Sequence, residues 1–63
     1  MSRPGPGVRL LLRRLRDEGS PAFVAGWRID PRTVAAAFRR GLVVEIDTDL
    51  WDLTPAGAKV ARG

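Results

Sequence analysis

Residues 30–44 read DPRTVAAAFRRGLVV, one short helix that runs directly into a strand. Asp30 is placed to accept a backbone N–H as N-cap, and Pro31 suits the first helical position, where an N–H has no partner to lose. Gly41 suits the left-handed stop, after which Leu42-Val43-Val44 continues as a strand. Val34, Ala37 and Phe38 fall at the i, i+3, i+4 spacing of a buried stripe. Arg32, Ala36 and Arg39 then point the opposite way, with Thr33 and Arg40 on a flank. A core-packed helix with arginines and small residues on its outer face is a candidate for lying in a DNA groove.

The totals narrow the classes. A chain of 63 residues makes one small domain, and such domains bury only roughly 60% of the surface their unfolded chain exposes. The hydrophobic fraction of 44% is ample for a core. There is no cysteine and no histidine, which removes disulfides, thiolate and imidazole metal ligands, and the commonest general base. No catalytic residue, cofactor or metal site is expected, and the chain does not read as an enzyme. No stretch approaches the ~18 apolar residues of a membrane span or the layout of a signal peptide. The expected location is the cytoplasm.

Charge is distributed unevenly. Through residue 42 nine arginines stand against Asp17, Glu18 and Asp30, whereas residues 43–63 set Lys59 and Arg62 against Glu45, Asp47, Asp49 and Asp52. The basic part suits a polyanion.

Working outward, residues 1–6 (MSRPGP) are rich in proline and glycine and read as a flexible arm, leaving 7–63 as a single domain. Gly7–Glu18 reads as a helix with Val8, Leu11, Leu12 and Leu15 on its buried stripe and Arg9, Arg13 and Arg16 opposite; Gly19 ends it. Ser20-Pro21 opens a second, very short helix through Ala25, with Phe23 and Val24 as core contacts. Trp27 and Ile29 alternate with Arg28 and are core candidates. After the central helix comes a hairpin. Thr48-Asp49 as the turn places Val44, Ile46, Trp51 and Leu53 on one face and sets Glu45 opposite Asp52. Thr54-Pro55 starts a closing helix to Ala61, inside which Gly57 costs about 1 kcal/mol relative to alanine, so that this helix is expected to fray.

The acidic residues of the hairpin do not form a calcium loop, because Asp47-Thr48-Asp49 lacks the glycine that the sharp turn requires. Gly5-Pro6-Gly7 follows no strand and has no phosphate-binding lysine.

The order helix, short helix, turn, arginine-bearing helix, hairpin, helix resembles the winged-helix branch of the helix-turn-helix DNA-binding domains of bacteria and phages. The residues that carry the likeness are Arg39-Arg40-Gly41-Leu42-Val43 and Leu53-Thr54-Pro55-Ala56-Gly57, RRGLV and LTPAG. The implied fold is α+β and mostly helical, a small winged helix-turn-helix with a two-stranded hairpin wing and a short C-terminal helix. The resemblance makes Asp30–Arg40 the recognition helix and double-stranded DNA the partner. Arg32 and Arg39 would reach bases or phosphates, Ala35 and Ala36 would allow close approach, and Arg28, Thr33 and Arg40 would complete the contact surface. The implied role is a transcriptional regulator or recombination accessory factor. So small a module is expected to act as a homodimer or with a second protein. Many family members carry a basic residue at the wing tip, where this chain has Asp47-Thr48-Asp49. The alternative is therefore a protein-interaction module that offers the acidic hairpin 45–52 to a basic partner.

Overall fold

The computed structural model describes residues 5–62, and within them three helices and a three-stranded antiparallel sheet form an α+β domain. The order is α1 (Pro6–Glu18), β1 (Ala22–Phe23), a 3₁₀ turn (Ala25–Trp27), α2 (Pro31–Arg39), β2 (Val43–Asp47), β3 (Leu50–Leu53) and α3 (Pro55–Arg62). Residues 1–4 of the expected arm, with Arg3, lie outside the described residues, while Gly5 and Pro6 are the N-cap and first residue of α1.

α1 buries the stripe its spacing dictates. Val8, Leu11, Leu12 and Leu15 are all buried, and together with Val24, Ala37, Leu42, Val43 and Ala61 they make up the core. Its basic side does more than face water. Arg14 stacks 4.9 Å above the ring of Trp27. Arg16, expected to project with Arg9 and Arg13, instead donates from Nη1 to the Ala61 carbonyl at 2.7 Å. That bond places a cation at the C-terminus of α3, where the helix dipole is negative and carbonyls lack partners.

The short second helix expected at Ala22–Ala25 is not formed. Ala22 and Phe23 are a strand paired with Trp51 and Leu50 of β3, so the sheet has the order β1-β3-β2 and the hairpin gains a third strand. Four residues are too few to stabilise a helix in isolation, whereas the open edge of β3 offers backbone partners. Val24 enters the core as expected, but Phe23 stands 64% exposed.

The hairpin register also differs. Thr48-Asp49 do turn the chain, with Asp47 opposite Leu50, but a bulge at Ile46 shifts every pair beyond it. Glu45 faces Trp51, Val44 faces Asp52 and Val43 faces Leu53, so Glu45 and Asp52 do not oppose each other. One extra residue in a strand transfers the following side chains to the other face. Val43, Trp51 and Leu53 therefore look inward, and Val44 (40% exposed) and Ile46 (54%) are left outside.

The turn is secured by its own carboxylates. Asp49, at φ 59°, accepts the Ala25 N–H on Oδ2 at 2.8 Å, Glu45 Oε2 accepts the Asp49 N–H at 3.0 Å, and Asp47 Oδ1 accepts the Thr48 N–H at 2.7 Å. The Asp49 carbonyl also takes the Val24 N–H at 3.3 Å. Asp49 thus ties the hairpin tip to the segment between β1 and α2. Asp49→Ala is expected to destabilise the fold by about 2 kcal/mol, from one lost hydrogen bond and a β-carbon in left-handed backbone without aspartate's tolerance for it. Asp49→Gly loses the same bond but not the backbone freedom, so its urea midpoint should fall less than that of Asp49→Ala.

The two segments RRGLV and LTPAG meet in one joint. Thr54 donates its hydroxyl to the Gly41 carbonyl at 2.6 Å and its N–H to the Leu42 carbonyl at 3.1 Å. The same hydroxyl oxygen accepts the Gly57 N–H at 3.1 Å, capping α3. Gly57 is buried against the Leu42 carbonyl, a place in which a β-carbon has no room. Glycine inside α3 is therefore a packing requirement rather than a reason for fraying.

Candidate nucleic-acid interface

α2 is held at both ends by its own sequence. Asp30 Oδ1 accepts the Arg32 N–H at 2.9 Å, and Pro31 occupies the first turn. At the other end Gly41 has φ 72°, and two nested bonds close the helix, Gly41 N–H to Phe38 O at 2.9 Å and Leu42 N–H to Ala37 O at 3.0 Å. This is a Schellman closure, with Leu42 and Ala37 meeting in the core as such closures favour. The exposed face of α2 is therefore presented at a fixed angle.

That face is turned from the expected one. Ala37 is fully buried and Val34 half-buried, as the stripe requires, but Phe38 is 51% exposed. Thr33 and Ala36, expected on or beside the outer face, are half-buried. Thr33 sits against Gly7 of α1, its Oγ1 3.3 Å from where a β-carbon on Gly7 would lie, and Ala36 packs on the core. Thr33 lies where α1 and α2 approach at Gly7 and Ala36 is turned toward the core, so neither stands on the fully exposed face of the helix. The residues left exposed are Pro31, Arg32, Ala35, Phe38, Arg39 and Arg40. Phe38 stays outside because Trp51, on the inward side of β3, meets it edge to face with ring centroids 6.1 Å apart. No spacing within α2 signals that partner, which comes from a strand formed later in the chain.

Arg28 precedes the helix in left-handed backbone, φ 56°, with its N–H on the Ala25 carbonyl at 3.3 Å. Its side chain is exposed. Arg28, Arg32 and Arg39 take part in none of the ion pairs among the described residues, which are Arg14–Glu18 at 3.7 Å and Arg16–Asp17 at 3.0 Å. Arg9 and Arg13, on the exposed side of α1, are unpaired in the same sense. A guanidinium without a protein carboxylate keeps its full charge and five donors for a phosphate or a base edge.

The hairpin offers nothing of that kind. Its residues Glu45, Asp47 and Asp49 already accept backbone N–H groups. Among the described residues no group of three or more histidine, cysteine, aspartate or glutamate side chains is placed to hold a metal, and no helix is long and apolar enough to cross a membrane. No protein-family model, curated protein or solved structure matches the chain.

Proposed function

We propose that this protein is a small winged-helix DNA-binding module in which α2 is the recognition helix, serving as a transcriptional regulator or recombination accessory factor. The observation that carries the reading is the exposed face of α2, where Arg32 and Arg39 flank Ala35 on a helix fixed at both ends. Arginine supplies charge for phosphates and a planar fork for guanine edges, and alanine between them leaves room for the groove wall. Arg28, exposed just before the helix, adds a flanking phosphate contact, and Arg40, exposed at its end, lies on the same approach. The element order also supports the reading, with β1 and a 3₁₀ turn standing where the short second helix was expected. Of the two alanines expected at the contact surface, the exposed Ala35 remains in this reading, and the half-buried Ala36 and Thr33 are left out of it.

Binding of this kind is governed by counterion release. About four arginine–phosphate contacts correspond to a slope of log K against log[salt] of roughly −4. Arg32→Ala and Arg39→Ala are each expected to weaken binding to a short duplex about tenfold, measured by fluorescence anisotropy at constant low salt. If both variants bind as the parent does, α2 is not the contact.

A protein-interaction role is the second reading, and a different surface favours it from the one the sequence suggested. Phe23, Leu50 and Val44 share the outer face of the sheet through the pairs Phe23–Leu50 and Val44–Asp52. Phe23 is 64% exposed there. That face, more than the self-bonded carboxylates of the turn, is where a partner protein would bury apolar area.

A further inference from the structure

The DNA reading uses the arginines of α2 and, of the groove beside them, only Ala35. Between α2, the segment leading into it and the hairpin tip runs a groove of about 890 Å³. Ile29, Val34, Phe38 and Trp51 give it apolar and aromatic walls, and Glu45 and Asp49 line it as well. Phe38 and Trp51 meet at an interplanar angle of 74°, so that their rings form a corner rather than a flat wall. No lysine or arginine is among the lining residues, although the chain carries 11 of them.

The two carboxylates are fixed in place. Asp49 Oδ2 holds the Ala25 N–H and Glu45 Oε2 holds the Asp49 N–H. The second oxygen of each has no partner among the described residues. An anion entering here is repelled, and a neutral apolar molecule gains burial alone. A cation carried on an apolar body gains burial, attraction to the ring faces and attraction to two anchored negative charges.

We propose that this groove is a binding site for a lipophilic organic cation, seated against the Phe38–Trp51 corner with its charge beside Glu45 and Asp49. The volume lies in the usual range of small-molecule sites, about 300–1,000 Å³. The groove shares Ala35 with the proposed DNA-contact face but uses none of its arginines, so the charge dependence at Glu45 tests it apart from the DNA reading.

The test compares two probes of the same shape and opposite charge, tetraphenylphosphonium and tetraphenylborate, titrated separately into the ¹⁵N-labelled full chain. The expected result is that the phosphonium shifts the amides of Val34, Phe38, Glu45, Asp49 and Trp51 and saturates, while the borate leaves those amides in place. Glu45→Gln keeps an oxygen for the Asp49 N–H but removes the charge, and should weaken phosphonium binding by about threefold to tenfold. Equal groove shifts from both ions, phosphonium shifts confined to another surface, or unchanged affinity in a folded Glu45→Gln would each overturn the proposal.

Discussion

Gly57→Ala is expected to destabilise the protein by about 3 kcal/mol or more, enough to leave much of the chain unfolded at room temperature. The added β-carbon would fall on the Leu42 carbonyl oxygen, 2.8 Å from the carbonyl carbon and 3.2 Å from Leu53 Cδ2. Neither backbone atom can be rotated away. The Leu42 carbonyl is pinned by the Thr54 N–H at 3.1 Å and Gly57 by the Thr54 hydroxyl at 3.1 Å, so α3 would have to lift off the joint. Overpacking costs typically 1–3 kcal/mol where side chains can yield, and more where they cannot. A domain of this length has in total only about 3–9 kcal/mol to lose. Helix propensity alone gives the opposite sign, a gain of about 1 kcal/mol for alanine, so a urea or thermal melt of this variant decides between the two arguments. Gly26→Ala is the control, since nothing lies within 4 Å of a β-carbon built there.

Leu12→Ala ranks beside it. Leu12 has no exposed surface and sits on α1 among Leu11, Leu15 and Val8. Truncation at such positions costs about 2–5 kcal/mol, the spread reflecting how far the neighbours collapse into the void. With nine buried apolar residues in the core among the described residues, few neighbours are available to close it, which puts the expected loss in the upper part of that range. Leu10, two positions earlier on the same helix, is 64% exposed, and Leu10→Ala should change stability by no more than about 0.5 kcal/mol. Comparable losses from the two variants in chemical denaturation would mean that α1 is docked by a different face.

What could be read from the chain was mostly what short-range chemistry decides. The Gly19 stop and four-residue stripe of α1, the Asp30 and Gly41 ends of α2 and the Thr54 cap of α3 depend on neighbours within a turn, and they stand where their residues put them. The structure departs from that local chemistry where a partner distant in sequence decides. Ala22-Phe23 is a strand because β3, more than twenty residues on, supplies its hydrogen bonds. The bulge at Ile46 moves Val44 outward without any glycine to announce it. Gly57 looked like a weak point in a helix because the carbonyl that excludes a side chain belongs to Leu42.

The same division runs through the candidate site. That α2 would present arginines could be seen from residues 30–41, and Arg32 and Arg39 are exposed there. Which small residues lie between them depended on α1, since Gly7 and Thr33 meet and Ala36 turns inward with them. Phe38 satisfied the apolar spacing of α2, yet its aromatic partner is in β3, and this places it at the surface beside the groove. The carboxylates of the hairpin read as free charges, whereas Asp47 and Glu45 bind backbone N–H groups of their own turn and Asp49 binds the distant Ala25 N–H. Local hydrogen bonding of short acidic side chains is common in turns, and it reduces what the acidic hairpin has to offer a partner.

The central claim is that α2 is the surface that meets DNA. It is tested most directly by a ¹⁵N NMR titration of the full chain with a short duplex at low and at moderate salt. Shifts concentrated at Arg28, Arg32, Ala35 and Arg39 that weaken steeply as salt rises are the expected result. Shifts confined to residues 45–52 or to the outer sheet face, or no shift at low salt, would contradict it.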